Sequence, residues 1–181
     1  MNRSMQQLAT SLLLAAALFT SGCKSDAGPS SAPTPTPEKR AALSPKEAVQ
    51  SFRDVLRGEM VDTAIFLVDD LDYGSPAAEQ TRGKIKALSH DVALGGYDFV
   101  GIDQKIEGNC AVVIVRESGL NRNGYNAIYL VHRSNRWSIS PDVWSYDRFL
   151  GMDSAQLARF RELERWYQIR RGELRAATDP R

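Results

Sequence analysis

Histidine and cysteine are scarce in this chain, with two of each among 181 residues. That leaves few ligands for a zinc site, which draws four donors from Cys, His and carboxylate side chains, and no metal is expected. An excess of charge of one sign is missing too. Twenty-three basic residues meet 22 acidic ones, a balance that argues against a nucleic-acid partner, which would ask for a basic face. No apolar run reaches the ~20 residues that a membrane-spanning helix needs. There is no internal repeat, and no motif implies a cofactor.

What is present begins at the front. The start "MNRSMQQ" carries Arg3 and no acid, and the short apolar core "LLLAAALF" follows. A basic start, a short apolar core and small residues after it describe an export signal. The small residues Thr20, Ser21 and Gly22 lead directly into Cys23. "SGC" resembles the lipobox of bacterial lipoproteins, with Thr20 where Leu is usual. The resemblance implies cleavage before Cys23 and acylation of its thiol. Each buried CH₂ of an acyl chain contributes about 0.8 kcal/mol, so two or three chains would anchor the protein durably. Lys24 rather than Asp follows the cysteine. By the same resemblance, that points to the outer membrane, facing the periplasm, in a Gram-negative cell. The stretch "KSDAGPSSAPTPTPEKRAA" has no large apolar residue to bury. It reads as a tether, with Pro33, Pro35 and Pro37 favouring extended backbone.

From Leu43 the pattern becomes that of a folded domain. "SPKEAVQSFRDVLRG" opens with a capping box of Ser44 and Glu47 around Pro45. Ala48, Val49, Phe52, Val55 and Leu56 share one helical face. "VDTAIFLVDDLD" reads as a short helix capped by Asp62 and largely buried. A third helix starts at Ser75-Pro76 with an Ile85, Leu88, Val92 stripe and ends at Gly95-Gly96. The period then changes to two. Four strands in an antiparallel meander follow, separated by turns at Gly108-Asn109, "GLNRNG" and Ser134-Asn135. In the first, Val100, Ile102 and Ile106 alternate with polar residues. The second, "CAVVIV", is apolar on both faces and needs cover on both. A two-residue turn at Ser134-Asn135 pairs Arg133 with Arg136, His132 with Trp137 and Leu130 with Ile139. Asp153 or Ser154 caps a last helix, whose stripe is Leu157, Phe160, Leu163 and Tyr167, with Trp166 and Ile169 beside it.

The fold class is therefore α+β: N-terminal helices packed on a curved four-stranded antiparallel sheet, with a C-terminal helix. The stretches "SPKEAVQSFRDVLRGE" and "SNRWSIS" resemble the nuclear transport factor 2-like superfamily, including small bacterial lipoproteins of unknown function. Asn135 stands where Gly is usual in the superfamily's final strand. The resemblance implies a cone-shaped domain and, in some members, isomerase or dehydratase chemistry inside the cone. It also implies that the superfamily often forms homodimers.

Candidate chemistry centres on His132, with Asp103 as an acid/base companion. Ile128, Leu130, His132, Trp137 and Ile139 would line a pocket or fill a core. A histidine simply hydrogen-bonded to backbone is the plainer reading of His132. His90, near a helix end, suits the helix dipole. Asp69, Asp70 and Asp72 lack the glutamate an EF-hand loop requires and read as a solvated helix end. The arginines of the last helix have glutamate partners at helical spacing. The expected organisation is a lipoprotein signal over 1–22, lipidated cysteine and tether over 23–43, the cone domain over 44–141, a helical extension over 142–175 and a disordered tail over 176–181. The expected role is a membrane-anchored binding or scaffolding module of the cell envelope. It would be held to lipid through Cys23 and engage an envelope protein or a small apolar ligand. The alternative is an enzyme using the cone. The last helix or a second copy would cover the sheet's other face.

Overall fold

The computed structural model describes residues 43–69, 74–120 and 123–178. The expected export signal, Cys23, nearly all of the expected tether, Asp70, Asp72 and the last three residues lie outside them. Helix α1 (Pro45–Arg57) begins with the expected capping box. Glu47 N donates to Ser44 Oγ at 3.3 Å and Ser44 N to Glu47 Oε2 at 2.7 Å, and such a cap contributes about 1 kcal/mol. Helix α2 (Val61–Phe66) is shorter than the sequence pattern implies. Met60 rather than Asp62 holds its cap position, and Asp62 accepts from Arg82 at 2.6 Å. Ala64 and Ile65 are buried, but Phe66 is 61% exposed, its ring lying 4.4 Å beneath the Arg136 guanidinium. Helix α3 (Pro76–Ala93) buries Ile85 and Val92, and its Ser89 Oγ donates to Leu56 O of α1 at 2.8 Å.

Strands β1 (Tyr97–Glu107), β2 (Cys110–Gly119), β3 (Gly124–Arg133) and β4 (Arg136–Ile139) form one antiparallel sheet in chain order. The last hairpin has the expected register, Arg133 with Arg136, His132 with Trp137 and Leu130 with Ile139. Ser134 and Asn135 both take positive φ, 49° and 63°. This is the backbone that matches a two-residue turn to the twist of its strands. Strand β1 corrects the expected alternation. Tyr97 and Phe99 face the core, while Val100 and Ile106 are 37% and 45% exposed. The pairing shifts between Gly101 and Asp103, and a bulge of this kind breaks the two-residue period.

Both faces of β2 are covered. Ala111, Val113 and Val115 pack with α1–α3 in one core that also holds Phe52, Leu56 and Phe99. Cys110, Val112 and Ile114 pack in a second core under α4 (Ser154–Thr178), which contributes Phe160, Leu163 and Tyr167. Asp153 caps α4, its Oδ1 accepting from Gln156 N at 2.7 Å. Gln156 fills the first buried place on this face and Leu157 is only half-buried. Ile169, expected beside the apolar stripe, is 67% exposed, about half a turn round the helix from it. The helix also runs into the expected tail: Ala176, Ala177 and Thr178 are helical, with Thr178 Oγ1 donating to Leu174 O at 3.0 Å.

Both sheet edges are blunted. The Leu67–Asp69 segment lies along β4, with Ile139 N donating to Leu67 O at 2.9 Å and Asp69 N to Ile139 O at 2.8 Å. On β1, Lys46 Nζ donates to Ile102 O at 3.3 Å beside the bulge. A lysine and a bulge both discourage further strand pairing.

Candidate functional site

Strand β3 alternates its side chains between the two cores. Ile128 and Leu130 point to α1–α3, while Ala127, Tyr129 and Val131 point to α4. His132 continues the first set, half-buried, with its ring centroid 4.9 Å from that of Trp137 at 61°. Its backbone N–H donates to Asn109 O at 2.7 Å. The structure thus brings Ile128, Leu130, His132, Trp137 and Ile139 to one face. Ile128, Leu130 and Ile139 are wholly buried there against Phe52, Leu56 and Phe99. They form core rather than the wall of a cavity.

Asp103 is on the other face. It pairs with Ile114 of the second core, and its Oδ2 accepts from Arg170 Nε of α4 at 2.8 Å. Through Ile114 it aligns with Ala127 of β3. That is five residues from His132, or roughly 16 Å along the strand at ~3.3 Å per residue. His132 and Asp103 are not brought together. His90 is exposed, with Nδ1 3.8 Å from Glu59 Oε1. Asp69 is not solvated as expected. It is fully buried, and its Oδ2 accepts from Arg133 Nη1 at 2.9 Å while Arg133 Nη2 donates to Leu150 O. Among the described residues no group of His, Cys, Asp and Glu gathers as a metal site. Nor is any helix there long and apolar enough to cross a membrane.

A concave feature against the first core lies elsewhere, between α3 and the segment 141–150. Sequence periodicity missed this segment because it is irregular. Its aromatic content, "VWSYDRF", was the available signal. The segment divides its rings between the two cores. Tyr146 and Phe149 stack on Phe160 of α4, at 5.3 Å and 7° and at 5.1 Å and 14°. Trp144 turns the other way and meets Tyr97 and Phe99 edge-on, at 6.4 Å and 89° and at 6.1 Å and 84°. Beside Trp144 opens a groove of about 380 Å³ with Ile85, Leu88 and Val143 in its apolar lining. A second hollow of about 190 Å³ adjoins it, reaching Thr81 and Arg148. Both hollows share Lys84, Pro141 and Asp142, and Lys84 Nζ lies 3.4 Å from Asp142 Oδ2 at their junction. Asp91 stands at the rim of the larger one, exposed.

The fold therefore defines an α+β domain with a four-stranded antiparallel sheet between two helical layers. Among solved structures, the chain is similar to an NTF2-like protein of unknown function from Cytophaga hutchinsonii ATCC 33406. The two share 12% identity over 56% of this chain and 90% of that one, with a TM-score of 0.40. No protein-family model and no curated protein matches the sequence.

Proposed function

We propose that this protein is a lipid-anchored, extracytoplasmic module of the cell envelope, with a nuclear transport factor 2-like domain that binds or scaffolds rather than catalyses. The observation that carries the binding reading is the packed face of the sheet under α1–α3. Ile128, Leu130 and Ile139, the side chains that would line an open cone, are wholly buried beneath α1–α3. The anchoring half rests on the sequence: a signal core, then "SGC", then a tether free of large apolar residues. The acyl chains on Cys23 hold the domain at the membrane, and the tether sets its reach at up to ~3.1 Å per residue where it is extended.

Mass spectrometry of the membrane-extracted protein tests the anchor. Acylated Cys23 as the first residue is expected, and Cys23→Ser should leave the precursor uncut or free the protein from the membrane fraction. Mature protein cut elsewhere, carrying an unmodified Cys23, would overturn it.

A further inference from the structure

The geometry points to the groove between α3 and residues 141–150 as a binding site for a small organic cation with an apolar body, such as an alkylated amine. This deepens the binding-module reading and rests on it. The larger hollow, at about 380 Å³, falls in the range of small-molecule sites, which runs from about 300 to 1,000 Å³. Its lining offers the two things such a ligand needs. Ile85, Leu88 and Val143 supply apolar surface. Trp144 supplies an indole, the aromatic side chain that attracts cations most strongly.

Trp144 is already positioned. Tyr97, which is buried, and Phe99 hold it edge-on, so a ligand would not have to order it. An aromatic wall fixed in advance lowers the entropic cost of binding. The charge at the groove decides the sign of the ligand. Its lining carries two carboxylates, Asp91 and Asp142, and one ammonium, Lys84. Lys84 faces Asp142 at 3.4 Å, which neutralises both. Asp91 makes no ion pair among the described residues and leaves the larger hollow with one net negative charge, Arg148 lining only the smaller one. In that larger hollow an anionic ligand would have to displace Asp142 from Lys84 and then face both carboxylates. A cation meets Asp91 at the rim with no such rearrangement.

Calorimetric titration of the full chain with hexyltrimethylammonium, hexanoate and hexanol tests this. Hexyltrimethylammonium should bind most tightly. Asp91→Asn should weaken it about three- to fivefold and Trp144→Leu by at least as much. Asp91 is exposed, so its variant should melt like the wild type and report on binding alone. Competition by phosphatidylcholine vesicles would identify a lipid headgroup as the source of the cation. Binding without such competition would identify a free amine. Hexanoate binding as tightly as the ammonium would overturn the proposal. So would an affinity untouched by both variants, or no binding of the ammonium. A chain acylated at Cys23 that ignores hexyltrimethylammonium loses this inference and keeps its anchor. A chain that binds it with Cys23 unmodified loses the anchor and keeps the groove.

Discussion

Arg53 grips Asp98 side-on. Its Nε and Nη2 donate at 2.7 and 2.6 Å to the two carboxylate oxygens, joining α1 to the start of β1. Arg57 adds a third contact at 3.0 Å, and Phe99 N donates to the same carboxylate at 2.9 Å. The hydrogen bonds from Arg53 are the main cause holding the Asp98 carboxyl below its usual range. A carboxylate with a lowered folded pKa stabilises the fold above its unfolded pKa of ~3.9. That contribution disappears as pH falls through the folded value. Asp98→Asn should cost about 1–2 kcal/mol at pH 7. The gap between variant and wild type should narrow below about pH 4. Thermal melts across pH 2–7 measure it, and a gap that stays constant to the acid limit would show that the pair is not the cause.

The second core makes α4 a structural element of the domain. Phe160 and Leu163 are wholly buried on it, and Tyr167 Oη donates to Tyr125 O at 3.1 Å. Tyr129 Oη hydrogen-bonds Glu164 of the same helix. Removing the helix would uncover Cys110, Val112, Ile114, Tyr129 and Val131 together, an apolar patch larger than monomers usually leave bare. Truncation after Met152 should give aggregated or self-associated protein in size-exclusion chromatography. A truncated chain that remains monomeric with an unchanged melting temperature would show that α4 contributes nothing.

The Cys110 thiol sits wholly inside that second core, and burial pushes its pKa up. A thiol is reactive as its thiolate. Cys110 should therefore resist a water-soluble disulfide reagent at pH 8 until denaturant exposes it. In the Cys23→Ser chain it is the remaining cysteine, so the assay reads it alone. The Met152 truncation should label rapidly without denaturant. Fast labelling of the intact chain would mean that this face of the sheet is open.

How much of this was legible in the sequence depended on local regularity. The Ser44–Glu47 box, the stripe of α3 and the Ser134-Asn135 hairpin all follow from contacts within a few residues, and the structure has them as read. The two-faced β2 strand was legible because an unbroken apolar run has no polar side to expose. The misreadings occurred where one residue changes the phase. The bulge at Gly101/Asp103 moves the inward set of β1 to Tyr97 and Phe99. The candidate site was less legible. Asp103 looked available as an acid because its partner Arg170 is 67 residues away. Trp144 belongs to a segment without a period, so nothing in the spacing marked its ring as the wall of a groove.

Two glycines should respond to alanine in opposite directions. Gly83 lies within α3, and a Cβ there would meet nothing within 4 Å. Its only effect is to loosen the helix, so Gly83→Ala should stabilise by about 0.5–1 kcal/mol. Gly119 ends β2 opposite Tyr97, where a Cβ would stand 2.7 Å from Gly96 O and 3.3 Å from Tyr97 Cα. Both obstacles are backbone, so no side chain can rotate away to relieve them. The strand end must shift, and Tyr97 is tied there through Oη to Glu117 Oε1 at 2.5 Å. Overpacking of this kind costs about 1–3 kcal/mol. At about 3 °C per kcal/mol for a domain of this size, melting temperatures should separate the two variants clearly, one above the wild type and one below. If Gly119→Ala melted with the wild type, the close approach of β2 to Gly96 would be wrong.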